Sequence, residues 1–252
     1  MDKMTLSALV ALSLTTAPLA AQNNDQVSLR VVHAVQGIPA VSVSLGETKA
    51  FDNVAFKQVT PWKSFPQVDD LKLKISLADG RELKTTEEFS FDDDDQQYTI
   101  LVTPDTAGPN PKVVVLESDK EDDDDDNESE ITLINASPDH KSLNLVAGDN
   151  TLERGVNYGK SGDEDIAAGA HTLKIVDADK DTAVASQSVN IPAGASISVI
   201  VMGGGAVRVI NDDSPDQDLS SGGATAASAA TAASTTATQT PAAGSATTTG
   251  TM

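Results

Sequence analysis

Apolar and polar residues alternate in short stretches along most of the chain. The clearest stretches are residues 27–31 (VSLRV), 41–45 (VSVSL) and 71–77 (LKLKISL). A period of two gives a strand with one apolar face and one polar face, so each stretch predicts a β-strand with a dry side and a wet side. Turn-forming residues separate the stretches, as in Ala78-Asp79-Gly80-Arg81. After residue 21 no ten-residue stretch has helical periodicity, which indicates an all-β protein.

The sequence also matches itself at a nearly constant offset. His33 meets Asn135 at 135 − 33 = 102, and Val41–Leu45 meets Leu143–Ala147 at the same offset. Small slips align three further segments: Leu73-Lys74-Ile75 with Leu173-Lys174-Ile175, Thr99 with Ser198, and Val115-Leu116 with Val209-Ile210. Matches within strands and slips within loops are typical of two copies of one fold. We therefore expect two tandem immunoglobulin-like β-sandwiches.

The segments outside the two copies differ sharply in composition. Residues 1–21 have a basic start, an apolar centre and a small-residue end, which predicts a signal peptide. The sandwiches are expected over 26–118 and 130–213, joined by an acidic linker at 119–129 that allows them to sit apart. Residues 214–252, rich in Ala, Thr, Ser and Gly, are expected to be disordered.

Charge and cysteine content narrow the classes of partner. The formal net charge is −21, which disfavours nucleic acid and anionic membranes as partners. The chain contains no cysteine, so each sandwich has to be stabilised by apolar burial without disulfides. With the signal peptide removed, no transmembrane segment is expected, and the mature chain should be exported to the periplasm, the cell surface or the extracellular space.

His33 is the first candidate for chemistry, and the duplication tests it. Asn135 occupies the equivalent position and cannot titrate near neutrality, although it can donate and accept hydrogen bonds. We interpret His33 and Asn135 as structural markers that bond the turn following each strand, with a metal or acid–base role for His33 as the alternative.

The segment Asp177-Ala178-Asp179-Lys180-Asp181 has the D-x-D-x-D start of a calcium loop. The sixth position is Thr182 where glycine is expected, and the twelfth is Ser188 where glutamate is expected. A solvated turn therefore fits better, and we assign no metal site; Asp177, Asp179 and Asp181 remain calcium candidates. The aspartates at 92–95 are expected to hold divalent cations only diffusely.

Other motifs do not support catalysis. The chain has no G-x-S-x-G, Walker A or H-E-x-x-H sequence and no cysteine nucleophile. Gly203-Gly204-Gly205 is expected to link two strands. Trp62, the single tryptophan, is expected to pack in a core or at an edge, with a sugar-stacking surface as the alternative.

Residues 31–46 resemble a known bacterial family. Val31-Val32-His33-Ala34 and the later PAVSVSLG at 39–46 are similar to the signature of the DUF4397 family, V-H-A-S-P-D-A-P-A-V-D-V-Y-V-D-G. In the second copy, Ala136–Asp139 supplies the A-S-P-D part. Ser42 and Asn144 replace the aspartate of D-V-Y-V. The resemblance implies an exported, β-rich, often tandem module of bacterial envelopes and implies no activity.

These observations predict a non-catalytic binding or display module of the cell envelope, without a cofactor other than weakly bound Ca²⁺. Its expected partner is an envelope protein or a polysaccharide. Two alternatives remain: a calcium-responsive structural spacer built on the acidic linker, and an envelope hydrolase with an unrecognised site.

Overall fold

The computed structural model describes residues 26–66, 73–83, 89, 91, 96–108, 110–119, 128–214, 219 and 225–226. The first copy contains β1 (Gln26–His33), β2 (Val41–Leu45), β3 (Thr48–Val54), β4 (Lys63–Pro66), β5 (Leu73–Leu77), β6 (Glu82–Leu83), β7 (Gln96–Pro104) and β8 (Pro111–Asp119). The second contains β9 (Glu128–Ala136), β10 (Ser142–Ala147), β11 (Asn150–Asn157), β12 (Ser161–Ala167), β13 (Gly169–Asp177), β14 (Thr182–Ile191), β15 (Ser196–Met202) and β16 (Ala206–Asn211), with β17 (Thr225–Ala226) after them.

Each copy folds as two stacked sheets. In the first sandwich the sheet orders are β4-β1-β7-β8 and β3-β2-β5-β6, and in the second they are β12-β9-β15-β16 and β11-β10-β13-β14-β17. The alternating apolar residues of the two sheets meet in one core per sandwich, around Leu29 and Ile75 in the first and Leu133 and Ile175 in the second. The all-β fold of two tandem sandwiches is confirmed.

The strand register repeats between the copies. β1 and β7 run parallel with His33 opposite Val102, and β9 and β15 run parallel with Asn135 opposite Val201. The backbone repeats as well: Lys57 is left-handed with φ 69°, and its equivalent Gly159 has φ 74°. Thus the duplication extends to individual backbone angles.

The two sandwiches do not sit apart. We call β4-β1-β7-β8 and β12-β9-β15-β16 the inner sheets, because they pack against each other as well as against the outer sheet of their own sandwich. Their contact is a third buried apolar cluster, formed by Val32, Ala34, Leu101, Leu116, Ile134, Ala136, Ile200, Met202 and Ile210. The expectation of separated domains is wrong because these inner strands are apolar on both faces and have to cover both.

The expected wet face of β1 is also wrong at Arg30. Its side chain is only 4% exposed, because Asp212 of the second sandwich and two hydroxyl groups bind the guanidinium. A charged side chain is found inside a protein when such partners replace its water.

Several predicted segments lie wholly or largely outside the described residues, namely the signal peptide, Asp92–Asp95 and most of both the linker and the tail. Within the expected disordered tail, however, Leu219 packs against the second core and Thr225–Ala226 pair with β14. At these residues the chain adds to the second sandwich. The described part contains no helix that is both long and apolar enough to cross a bilayer.

Candidate functional site

His33 and Asn135 make equivalent hydrogen bonds. Val35 N–H donates to His33 Nδ1 at 3.3 Å, and His33 Nε2 lies 3.2 Å from Pro39 O. Ser137 N–H likewise donates to Asn135 Oδ1 at 3.2 Å. Both side chains have 0% exposure. The imidazole therefore accepts at Nδ1 and donates at Nε2, which is its neutral form, and burial lowers the pKa of His33.

The amide of Asn135 closes its turn in the same way. Its Nδ2 donates to His140 O and to Val156 O, each at 3.1 Å. In both copies one acceptor atom and one donor atom hold the chain that leaves the inner sheet. Because both nitrogens of His33 are used in this way, the ring has no atom left to bind a metal or move a proton.

Asp177 is enclosed by its own turn. Its Oδ1 accepts from the backbone N–H groups of Asp179 and Lys180 at 3.1 and 3.0 Å. Its Oδ2 lies 2.8 Å from Lys180 Nζ and 2.8 Å from His140 Nδ1. These contacts, the bond from Lys180 first, hold the pKa of Asp177 well below its usual range.

The three calcium candidates do not converge. Asp177 is buried and used by the turn, whereas Asp179 and Asp181 are exposed. Across the described ranges, no group of three or more His, Asp or Glu side chains is arranged to hold a metal ion.

Trp62 lies at the contact between the sandwiches. The Arg30 guanidinium carbon is 4.2 Å from the centroid of the Trp62 ring, so a cation–π contact covers one face of the indole. Trp62 Nε1 is buried and has no hydrogen-bond partner among the described residues. It lines a cavity of about 20 Å³ together with Arg30 and Asp212, which is room for about one water molecule.

A larger groove lies at one edge of the first sandwich, and sequence reasoning missed it. Its volume is about 480 Å³. Its lining comes from β6 and the residue before it, and from β8 and the loop before that strand: Arg81, Glu82, Leu83, Asp105, Asn110, Pro111, Lys112 and Val113. We call this the β6–β8 groove. Three of its lining side chains are apolar, and the other five offer hydrogen-bond donors or acceptors.

Local contacts fix the polar groups of the groove. Asp105 Oδ1 accepts from Ala107 N–H at 2.9 Å, which shapes the loop before β8. Arg81 Nε is 2.9 Å from Asp79 Oδ2. Lys112 Nζ lies 4.7 Å from the centroid of the Tyr158 ring. Tyr158 belongs to the second sandwich, and its hydroxyl bonds Thr103 and the Pro104 carbonyl. The groove is therefore braced by the contact between the sandwiches.

The second sandwich has alanine in place of three of the groove side chains. Strand pairing places Ala183 at the position of Glu82, Ala185 at that of Leu83 and Ala206 at that of Lys112. The loop before the last strand is the short turn Gly203–Gly205 in the second copy, and 105–110 in the first. The sequence carried a signal of this: the offset between the copies falls from 198 − 99 = 99 to 209 − 115 = 94 across that loop.

Comparison with known proteins gives a family. No curated protein matches the chain. One solved structure that matches is CBMbc, of family CBM26, from Eubacterium rectale Amy13K in complex with maltoheptaose. Its sequence is 10% identical, and the match covers 73% of this chain and 95% of that chain. The TM-score of 0.24 is too low to establish a shared fold. The model of the family "Domain of unknown function (DUF4397)" matches residues 27–129 and again 129–234. The chain thus belongs to the DUF4397 family and carries its domain twice in tandem.

Proposed function

We propose that the protein is an exported, non-catalytic binding module of the cell envelope, and that the β6–β8 groove holds a polysaccharide. The observation that supports this most is the difference between the copies. Three groove side chains of the first copy, those of Glu82, Leu83 and Lys112, are replaced by alanine in the second, so the fold does not need them.

The chemistry of the groove suits a saccharide. A sugar hydroxyl both donates and accepts, and Arg81, Asn110 and Lys112 offer donors while Glu82 and Asp105 offer acceptors. Leu83, Pro111 and Val113 offer an apolar surface to the C–H face of a sugar ring.

The buried polar groups support a non-catalytic role. Arg30, His33, Asp177 and Asp212 are each bonded to groups that hold turns or join the sandwiches. None of these four lines the β6–β8 groove, so none is placed to take a proton from a ligand bound there.

The spacer alternative loses its basis in the fold. A linker that shortens when it binds cations can change the separation of two domains only if they are otherwise free. The inner sheets here are packed together, so the length of the linker does not set their distance.

A glycan array of bacterial surface saccharides, with maltoheptaose included, tests the proposal on the mature chain (residues 22–252). We expect binding to at least one saccharide, weakened at least about tenfold by Arg81→Ala/Asn110→Ala, equivalent to about 1.4 kcal/mol. The matched control is Lys174→Ala/Asn190→Ala, which removes the same kinds of group from exposed positions on the second sandwich.

Two results would count against the proposal. If no saccharide binds, the ligand class is wrong. If binding is found and the groove variant and its control bind equally well, the ligand lies elsewhere on the protein.

A further inference from the structure

The interface between the sandwiches is nearly symmetric. A Cβ built at Gly159 would lie 3.7 Å from Val114 Cγ2, and Arg208 Nη1 donates to the carbonyl of Lys57 at 3.3 Å. Lys57 corresponds to Gly159 (57 + 102 = 159), and Val114 corresponds to Arg208 (114 + 94 = 208). The same contact is therefore made twice with the copies exchanged, as across a two-fold axis.

The apolar part of the interface follows the same symmetry. Val32 corresponds to Ile134 and Ala34 to Ala136, and all four are buried in the shared cluster. A face of this kind is self-complementary. By its apolar residues alone, an inner sheet of the first copy fits another first copy about as well as it fits the second.

A buried ion pair breaks the symmetry, as do the bonds of the Tyr158 hydroxyl to Thr103 and the Pro104 carbonyl. Arg30 Nη1 is 2.5 Å from Asp212 Oδ1, with side-chain exposures of 4% and 10%. Ser198 Oγ accepts from Arg30 Nη2 at 2.8 Å and donates to Asp212 Oδ2 at 2.7 Å. Thr99 Oγ1 accepts from Arg30 Nε at 2.9 Å.

The symmetry-related position carries no charge. Arg30 corresponds to Thr132 (30 + 102 = 132), and Asp212 corresponds to Ser118 (212 − 94 = 118). All four residues line the same small cavity. The interface thus has two equivalent places for an ion pair and fills one of them.

We propose that the Arg30–Asp212 pair makes the first copy bind the second copy in preference to another first copy, and so prevents association of like copies. In a pair of first copies, Arg30 would face Ser118 twice. The first copy's carboxylate in the cavity lining is Glu117, an exposed residue, so two cations would lose their buried carboxylate. In a pair of second copies, Asp212 would face Thr132 twice and leave two buried carboxylates. An unpaired buried charge is strongly unfavourable, whereas the correct pair leaves neither charge alone.

The test uses the full chain with a site-specific protease sequence inserted between Asp123 and Asp124. After cleavage, the two halves are unfolded in urea, refolded together and weighed by native mass spectrometry, which resolves unlike pairs from the two like pairs by mass. For the unaltered halves we expect unlike pairs to exceed like pairs by at least about tenfold.

Replacing each residue of the pair by its equivalent in the other copy should remove this binding preference. Arg30→Thr/Asp212→Ser should refold and lower the excess of unlike pairs at least about tenfold, toward the random ratio. Adding Thr132→Arg/Ser118→Asp to that variant moves the ion pair to the symmetry-related position. This should restore the excess of unlike pairs. The matched control is Lys49→Thr/Asp52→Ser, which removes an exposed ion pair of 3.2 Å and should leave the ratio of unlike to like pairs unchanged.

Residues that only stabilised the fold of their own sandwich would behave differently. Their substitution would lower the yield of all complexes without changing the ratio of unlike to like pairs. The proposal is overturned if the halves of the unaltered chain fail to reassemble, if the double variant keeps the full excess, or if the relocated pair does not restore it.

Discussion

Ile100 and Leu101 are neighbours in β7 whose side chains are both 0% exposed and point to opposite sides of the strand. Ile100 lies in the core of the first sandwich, whereas Leu101 lies in the cluster shared with the second. Leu101→Ala removes about three carbon atoms at roughly 0.8 kcal/mol each and leaves a cavity. We therefore expect the free energy of unfolding to fall by about 3 kcal/mol, close to the loss from Ile100→Ala.

Thermal unfolding followed by circular dichroism measures this. For a chain of this size, a loss of about 3 kcal/mol corresponds to a fall in Tm of roughly 6–12 °C. Val176→Ala, at a half-buried position of an outer sheet, is the control and should cost much less. A sandwich standing alone would expose Leu101, and the substitution would then cost within about 0.5 kcal/mol. A loss that small for Leu101→Ala, beside a large one for Ile100→Ala, would refute the packed interface.

Further predictions concern the turns and the linker. His33→Asn, which installs the side chain found in the second copy, should lower the free energy of unfolding by less than about 1 kcal/mol. His33→Ala should lower it by about 1–3 kcal/mol, because it leaves two backbone groups without a hydrogen-bond partner. Urea unfolding measures both. Because burial lowers the pKa of His33, its neutral form adds stability that is present above about pH 6.5 and is lost on acidification, and His33→Asn should remove that slope. Because contacts lower the pKa of Asp177, its carboxylate stabilises the fold above about pH 4, and this stability is lost as the carboxylate is protonated. Asp177→Leu places in the second copy the leucine found at the equivalent position 77, and it should reduce the loss of stability below about pH 4. Millimolar calcium should leave the maximum dimension in small-angle scattering unchanged.

Each of these has an outcome that contradicts it. Equal losses from both His33 variants would mean that the two side chains are not equivalent in the turn. An unchanged pH profile in Asp177→Leu would mean that another group titrates there. A change of several ångströms with calcium would show that the sandwiches separate.

The sequence predicted the elements and their repetition well, for a local reason. Alternation fixes which side chains of a strand share a face, and matched spacing at offsets between 102 and 94 fixes which positions of the copies correspond. The alignments of Thr99 with Ser198 and of Val115 with Val209 hold in the observed strand pairing.

The candidate site was less accessible to sequence reasoning. The β6–β8 groove draws on residues from 81–83 and 105–113, which only the stacking of two sheets brings together. The shift of offset at that loop marked where the copies differ, but an insertion alone does not tell whether it lines a groove.

The sequence by itself determined that the chain is a doubled all-β protein with His33 and Asn135 at equivalent turns. Only the tertiary structure decided what covers the second apolar face of the inner strands. Runs such as Ile100-Leu101-Val102 show that both faces are apolar, because alternation is lost there. Which surface meets that second face depends on contacts between residues far apart in the chain, such as Arg30 and Asp212, and no local pattern encodes them.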